Sequence, residues 1–329
     1  MTLAIVLKGH ILTNNQIFKQ PCAEKGVQES GSSVFIGLPG MIDVDEIEIN
    51  VPAKINLYLK IIRKRPDGYH DIDTLMQTVS LYDKMILKKS DGIELTVDGL
   101  SEIEPKDNLA YKAARIVSEM VDYPGAQIIL KKYIPTGAGL GGGSADAAFV
   151  VRGLMQLYGL KLERFELKRR MALLGADIPF FLGTGQSRAT GIGDIIEPID
   201  LPIDYQVLIV KPEISINTRW AYQNAKIRLT KNPGNIILDK RTDITDIVRV
   251  IEKIGNDFEE TVFAVSDNLS RVKKQLIDGK ALYVSISGSG SAMFGIFEQG
   301  RRLESIAARL SADGFRTFIC KPIVLQPII

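Results

Sequence analysis

Pro135-Thr-Gly-Ala-Gly-Leu-Gly-Gly-Gly-Ser-Ala-Asp-Ala-Ala148 carries glycine at five of the seven positions 137–143. Such a run cannot be core, because glycine offers no side chain to bury and loses the most backbone freedom on ordering. It permits tight turns and lets backbone approach a ligand closely. The run lies between a predicted strand, Gln127–Lys132, and a predicted helix with Ala147, Ala148, Val151, Leu154, Met155 and Tyr158 on one face. Ser144 is the expected N-cap and Gly159 the expected stop. A glycine loop feeding a helix N-terminus presents free N–H groups at the positive end of a dipole, an arrangement suited to phosphate.

Three known phosphate patterns fit poorly. Gly137 and Gly142 have Walker spacing, but no Lys-Ser/Thr pair follows. Gly137, Gly139 and Gly142 satisfy GxGxxG, a weak match in so glycine-dense a run. The acid at the Rossmann offset, Glu163, opens another amphipathic helix through Leu167, Met171 and Leu174 rather than ending a strand. Protein-kinase catalytic-loop and metal-binding signatures are missing. The loop is therefore a phosphate loop of another kind, or else a plain strand-to-helix linker.

The chain has 329 residues, 45% hydrophobic and 24% charged, with a net charge of +2. This is ordinary for a globular chain of enzyme size, and length suggests two domains. The charge gives no electrostatic argument for nucleic acid or an anionic membrane. Cys22 and Cys320 form neither a disulfide framework nor a metal pattern. No apolar run approaches the roughly 20 residues of a membrane span. The Leu3–Leu7 run is short for a signal sequence and has no basic residue before it; the first arginine is Arg63. A reducing, cytoplasmic setting follows as the expectation. Residues 1–40 lack periodicity and are read as an extension outside the fold, with patterning beginning at Met41.

Glu46–Val51 reads as a strand, and after Pro52 the run Lys54–Ile62 alternates. Ile55, Leu57, Leu59 and Ile61 face one way; Lys54, Asn56, Tyr58 and Lys60 face the other, which by itself predicts a wet face. Pro66-Asp-Gly-Tyr-His70 is a turn by composition. Strands are expected near Leu75–Leu81, Met85–Lys88 and Ile93–Val97, and Asp107 is expected to cap a helix through Leu109, Ala113, Ile116 and Met120. Asp177, before Ile178-Pro179, reads as an N-cap with proline in the first turn; capping does not exclude chemistry. Pro198–Pro202 marks the expected domain boundary. Beyond it come a strand at Tyr205–Val210, a short helix from Thr218 and polar connections over 226–246. The tail reads as helix, strand, Ser287-Gly-Ser-Gly-Ser291, strand, helix, strand, an antiparallel sheet backed by helices. The Gly-Ser run is either a hairpin turn or a place of close ligand approach.

Pro52-Ala-Lys-Ile-Asn-Leu57, Arg65-Pro-Asp-Gly-Tyr-His-Asp71, the Pro135–Ala148 loop, Leu174-Gly-Ala-Asp-Ile-Pro-Phe-Phe181 and Ser287–Ser291 together resemble the GHMP kinase superfamily from about residue 45 onward. The loop and the Gly-Ser turn are superfamily-wide. The Ala-Lys-Ile-Asn strand with Pro-Asp-Gly-Tyr-His is narrower, and is similar to the branch that acts on 4-diphosphocytidyl-2-C-methyl-D-erythritol in non-mevalonate isoprenoid synthesis. The resemblance implies an α+β fold of two domains. The first, 41–202, binds ATP and is like domain 2 of ribosomal protein S5; the second, 203–329, is ferredoxin-like, with the site between them.

It further implies transfer of the ATP γ-phosphoryl group to the tertiary 2-hydroxyl of that small-molecule substrate. Asp177 would be the base and Lys54 the stabiliser of developing alkoxide. Asn56 would contact the substrate diol. Tyr69 and His70 would recognise cytosine, with Tyr222 stacking on the ring and Trp220 competing for that place. Pro135, Gly137, Ala138, Gly139, Leu140, Gly141, Gly142, Gly143, Ser144 and Ala145 would form the ATP loop, Ala145 standing where relatives commonly have a second serine. Gly288, Ser289 and Gly290 would lie near the site. Mg²⁺ is expected on the phosphates, with Ser144 as a protein ligand. Neither nucleic acid nor membrane is an expected partner. The alternatives are a homoserine or mevalonate type of kinase, or a non-catalytic nucleotide or metabolite sensor; retention of both Lys54 and Asp177 speaks for catalysis.

Overall fold

A computed structural model describes the strand segments 4–6 and 34–35 and residues 44–98, 104–225 and 243–329. The expected start at Met41 and most of the 226–246 connection lie outside the described residues.

A long antiparallel ribbon organises the molecule. The two strands expected at Glu46–Val51 and Lys54–Ile62 are one 19-residue strand, and those expected over 75–88 belong to one 20-residue strand. In chain order the first elements are β1 (Ala4–Val6), β2 (Val34–Phe35), β3 (Glu46–Lys64), β4 (His70–Lys89) and β5 (Gly92–Asp98). Pro52 does not end β3; it sits where the β3–β4 register shifts, between Pro52 and Ala53, and a bulge tolerates a residue without an N–H. Next come α1 (Leu109–Met120), β6 (Gly125–Lys131), α2 (Gly142–Tyr158), α3 (Arg164–Leu174), α4 (Ile178–Leu182), β7 (Gln186–Thr190) and β8 (Ile195–Pro198). The cap of α1 is Asn108, whose side chain accepts from the Ala110 N–H at 2.9 Å; the expected cap, Asp107, belongs to a preceding 3₁₀ turn. Glu163 caps α3 by accepting from Phe165 and Glu166.

The first sheet runs β2-β1-β3-β4-β6-β5, antiparallel except for the β5–β6 pair, with β7 on β4 and β8 on β7. Thus β4 is shared: Thr74–Gln77 pair with β7 and Lys84–Lys89 with β6. Helix α2 presses on the sheet through small residues. A Cβ on Gly153 would lie 2.2 Å from Leu87 Cδ1 and 2.7 Å from Ile49 Cδ1, so a larger residue would have to push these side chains aside. One core therefore joins Ile47, Ile49, Val51, Met85 and Leu87 to Ala147, Val151 and Leu154.

The second half is β9 (Tyr205–Lys211), α5 (Thr218–Asn224), α6 (Ile244–Ile254), α7 (Glu259–Phe263), α8 (Asp267–Asp278), β10 (Tyr283–Ile286), β11 (Met293–Glu298), α9 (Glu304–Ala312) and β12 (Arg316–Cys320). Its sheet, β10-β11-β9-β12, is antiparallel throughout and carries α8 and α9. The further half of the β3–β4 ribbon lies on this layer, since Ile55, Leu57, Leu75 and Val79 share a core with Val207, Ile209, Phe294 and Ile296. The two layers are thus sewn together by one pair of strands, in an α+β architecture. Tyr58, expected on a wet face, is fully buried in the same core, because the register shifts again between Asn56 and Tyr58. Lys60 is half-buried and pairs with Asp257 at 2.7 Å. Among the described residues, no helix is long and apolar enough to cross a membrane.

Arg152 of α2 holds the end of the chain against α4. Buried, it donates from Nε to the Phe181 carbonyl at 2.9 Å, from Nη2 to Gly183 at 3.0 Å and from Nη1 to Gln326 at 2.6 Å. Arg152→Ala strands these carbonyls, and each such buried group costs about 1–3 kcal/mol. Denaturant unfolding is expected to show a loss of about 3 kcal/mol or more; an unchanged midpoint would show that the clasp contributes nothing.

Candidate active site

The glycine loop links β6 to α2 and supplies the helix cap itself. Gly141, at φ +70°, is the cap residue, and no side chain caps the helix. Ser144, the expected cap, is instead the third residue of α2. The first helical bond runs from Ala145 N–H to Gly141 C=O at 2.9 Å. The N–H groups of Gly142, Gly143 and Ser144 therefore have no helical acceptor and sit at the positive end of the dipole. Pro135–Ser144 line a cavity of about 300 Å³ together with Asn108, Leu109, Lys132 and Asp146. Ala145 is buried and does not line it. A larger cavity of about 780 Å³, bounded by Lys60, Asn256 and Lys273, contains none of the candidate site residues. Size alone does not locate the site.

The loop is docked on β3. Lys54 N–H donates to Leu140 C=O at 2.9 Å. A Cβ on Gly141 would lie 2.9 Å from Lys54 Cγ and 3.1 Å from Phe181 Cζ, so the glycine makes room for the lysine stem. Lys54 Nζ then lies 3.3 Å from Asp177 Oδ2 and 2.5 Å from Asn56 Oδ1. Asp177 precedes α4, but its backbone is already helical, at φ −79° and ψ −11°, and its carboxylate makes no capping bond. The capping reading gives way: the carboxylate is turned to the lysine. Its side chain is 34% exposed and that of Lys54 only 5%, so solvent reaches the acid while the ammonium stays sheltered.

The Gly-Ser run is a hairpin connection, the first of the two readings offered for it. It closes the β10–β11 hairpin and also touches the glycine loop. Ser287 Oγ donates to Gly139 C=O at 2.8 Å and accepts from Asn56 N–H at 3.2 Å. A Cβ on Gly139, at φ +79°, would fall 1.9 Å from the Ser287 carbonyl oxygen. Behind the turn, buried Asn256 donates to Ile286 and Gly288 carbonyls at 3.0 and 2.9 Å. Gly288, Ser289 and Gly290 thus line up beside the loop, with Ser289 Oγ 3.1 Å from Thr218 Oγ1.

An aromatic group flanks this cluster. His70 stacks on Tyr222 with ring centroids 4.9 Å apart and 17° between planes, and Tyr222 meets Phe258 edge-on at 4.8 Å. Tyr69 stands exposed beside them; Trp220 makes no ring contact with His70 among the described residues. Burial, then the charge of Lys64, holds the His70 imidazole below its usual range. Burial, with Asp177 adding to it, pushes the Tyr222 hydroxyl up to about 12.

Three titratable groups at the loop's other end escaped the reading of the sequence. Lys132 Nζ bonds the carboxylates of Asp83 and Asp146, the latter at 2.5 Å. Asp83 also accepts from the Tyr133 and Ile134 N–H groups at 2.5 and 2.8 Å. Asp146 Oδ1 is buried without a partner. Burial pushes the Asp146 carboxyl up to about 7, with Lys132 pulling it the other way. Among the described residues no group of three or more His, Cys, Asp or Glu could hold a metal. Mg²⁺ on a nucleotide needs none, since phosphate and water supply most of its ligands.

The two-layer α+β frame with its helix-capping glycine loop is that of an ATP-dependent kinase of the GHMP class, as comparison with known proteins shows. The profile of the GHMP kinases N terminal domain matches residues 108–185, and that of GHMP kinases C terminal matches 240–315. A 4-diphosphocytidyl-2-C-methyl-D-erythritol kinase of Syntrophotalea carbinolica is 38% identical over 277 residues, 83% of this chain and 97% of that one. A crystal structure of 4-(cytidine 5'-diphospho)-2C-methyl-D-erythritol kinase superposes with a TM-score of 0.68 at 31% identity, covering 84% of this chain and 99% of that one. A homoserine kinase from Cytophaga hutchinsonii superposes at 0.64 with 20% identity, covering 88% of this chain and 98% of the other; it shows the shared fold alone. The chain belongs to the family of 4-diphosphocytidyl-2-C-methyl-D-erythritol kinases.

The buried triad makes a direct prediction. Lys132→Met leaves two buried carboxylates facing each other, and removing one member of a buried ion pair costs about 3–5 kcal/mol. Thermal unfolding is expected to fall accordingly, and an unaltered transition would contradict the pairing.

Proposed function

We propose that the protein transfers the γ-phosphoryl group of ATP to the 2-hydroxyl of 4-diphosphocytidyl-2-C-methyl-D-erythritol, in cytoplasmic synthesis of isoprenoid precursors by the non-mevalonate route. The observation that carries this reading is the Lys54–Asp177 pair, 3.3 Å apart, in front of a loop with free amides. Phosphoryl transfer asks little covalent chemistry of a protein; it needs in-line positioning and compensation of charge. The N–H groups of Gly142, Gly143 and Ser144 hold the phosphates in place of a Walker lysine. Asp177 takes the hydroxyl proton as it is lost. An alkyl hydroxyl is a very weak acid, so the carboxylate alone is inadequate, and the sheltered Lys54 ammonium stabilises the oxyanion. Asn56 accepts from the substrate diol.

The cytidyl end extends toward Tyr69, His70 and Tyr222, where ring stacking and a neutral imidazole recognise the base. Tyr222 takes the stacking role in preference to Trp220 because His70 already lies against it. Ser144 lines the loop cavity and carries the hydroxyl that would ligate Mg²⁺ on the phosphates. When bound, that ion neutralises charge on the transferring phosphate.

Asp177→Asn is expected to lower kcat by about 10²–10⁴-fold, the range for a general base, with ATP binding intact. Substrate-dependent ADP release from the parent enzyme should appear with the cytidyl compound and not with homoserine or mevalonate. Turnover of either alternative substrate, or a fully active Asp177→Asn enzyme, would overturn the assignment. His70 makes a second prediction. Its lowered pKa keeps the ring neutral at pH 7, and that state is lost as pH falls. The KM for the cytidyl substrate is therefore expected to stay flat from pH 8 down past the ordinary histidine value of about 6.5 and to rise only below it. A rise that already begins above that value would contradict the neutral-ring reading.

A further inference from the structure

From the hydrogen-bond pattern we infer that Thr74 is a positioning residue: its hydroxyl fixes which way the Asn56 amide points, and thereby where the Lys54 ammonium sits. Thr74 lies on β4 and is buried. Its Oγ1 is 2.6 Å from the Tyr58 carbonyl oxygen and 2.8 Å from Asn56 Nδ2. A hydroxyl has one hydrogen, and a carbonyl can only accept. The Thr74 hydrogen is therefore committed to Tyr58, and only a lone pair faces Asn56. Asn56 must offer its NH₂ group to Thr74, which turns Oδ1 to Lys54 Nζ at 2.5 Å.

The reversed amide would lose both bonds. It would set two donors, NH₂ and ammonium, against each other, and an amide oxygen against a hydroxyl with no hydrogen left. The Tyr58 carbonyl is a fixed target, since the buried Tyr58 donates its phenol O–H to Asp73 at 2.7 Å and Arg188 holds that carboxylate at 2.6 and 2.9 Å. The β3 bulge supplies the geometry: Asn56 lies opposite Met76, Tyr58 opposite Leu75 and Leu59 opposite Thr74, so one threonine reaches both groups. One ammonium hydrogen is then held by Asn56 and another is directed at Asp177, leaving the third for the reacting oxygen.

The inference rests on the catalytic reading of Lys54 and Asp177, and its test separates the two. Steady-state kinetics would compare Thr74→Val, Thr74→Ser, Asn56→Ala and Asn56→Ala combined with Thr74→Val, each with a melting temperature. Thr74→Val is expected to lower kcat about tenfold or more with the ATP KM unchanged, since misplacing a reacting group by an ångström can cost about a hundredfold. Thr74→Ser, which keeps the hydroxyl, should recover to within about twofold, and in the Asn56→Ala background Thr74→Val should cost nothing further, because interacting residues are non-additive. Should the valine variant fold poorly, Thr74→Cys takes its place, with the size of serine and a poor donor. Normal turnover by Thr74→Val beside an inactive Asp177→Asn enzyme, or a full valine penalty without Asn56, would overturn this inference alone. Full activity of Asp177→Asn would overturn the catalytic reading and this inference together.

Discussion

A single backbone hydrogen bond, from Lys54 N–H to Leu140 C=O at 2.9 Å, holds the glycine loop against the strand that carries the lysine. That bond fixes the loop against the Lys54 main chain, and the side chains of Asn56 and Asp177 then place the ammonium. The Ser287 hydroxyl repeats the device from the other layer, bonding Gly139 C=O and Asn56 N–H together. Three segments far apart in the chain thus meet at β3, which with β4 forms the ribbon whose two halves lie in the two cores.

Electrostatics divides the loop into two unlike ends. At one end Lys132 is consumed by two buried carboxylates and is structural in its contacts. At the other, Lys54 has a single carboxylate partner, and that partner is a third exposed. A buried ion pair gains little net stability against its desolvation cost. What the Lys54–Asp177 pair offers is a charge held ready where water has partial access. The neighbouring Asn56, Thr74 and Tyr58 bonds give that charge its direction.

Much of this was legible in the residues. The glycine loop, the helix stop at Gly159 and the order of elements in the tail follow from local pattern. Alternation alone put Lys54 and Asn56 on a wet face, and only the resemblance to known kinases singled them out. The failures share one cause, which is that tertiary contact overrides local preference. Ser144 and Asp107 are good capping residues, but Gly141 in its left-handed conformation and Asn108 take those places. Asp177 looks like a cap until Lys54, 123 positions earlier, is brought beside it. Alternation put Tyr58 in water because a strict period of two cannot anticipate a bulge. Lys132 and Asp83 are 49 residues apart, and nothing local marks either as one half of an ion pair.

The most direct measurement of the central claim is a crystal structure of the protein with a non-hydrolysable ATP analogue and the cytidyl substrate together. The account predicts the 2-hydroxyl oxygen within about 2.6–3.2 Å of the Asp177 carboxylate. It also predicts that oxygen beside Lys54 Nζ and in line with the terminal phosphate, with phosphate oxygens on the Gly142–Ser144 amides. A hydroxyl held by other groups, with Asp177 and Lys54 still paired only to each other, would contradict it.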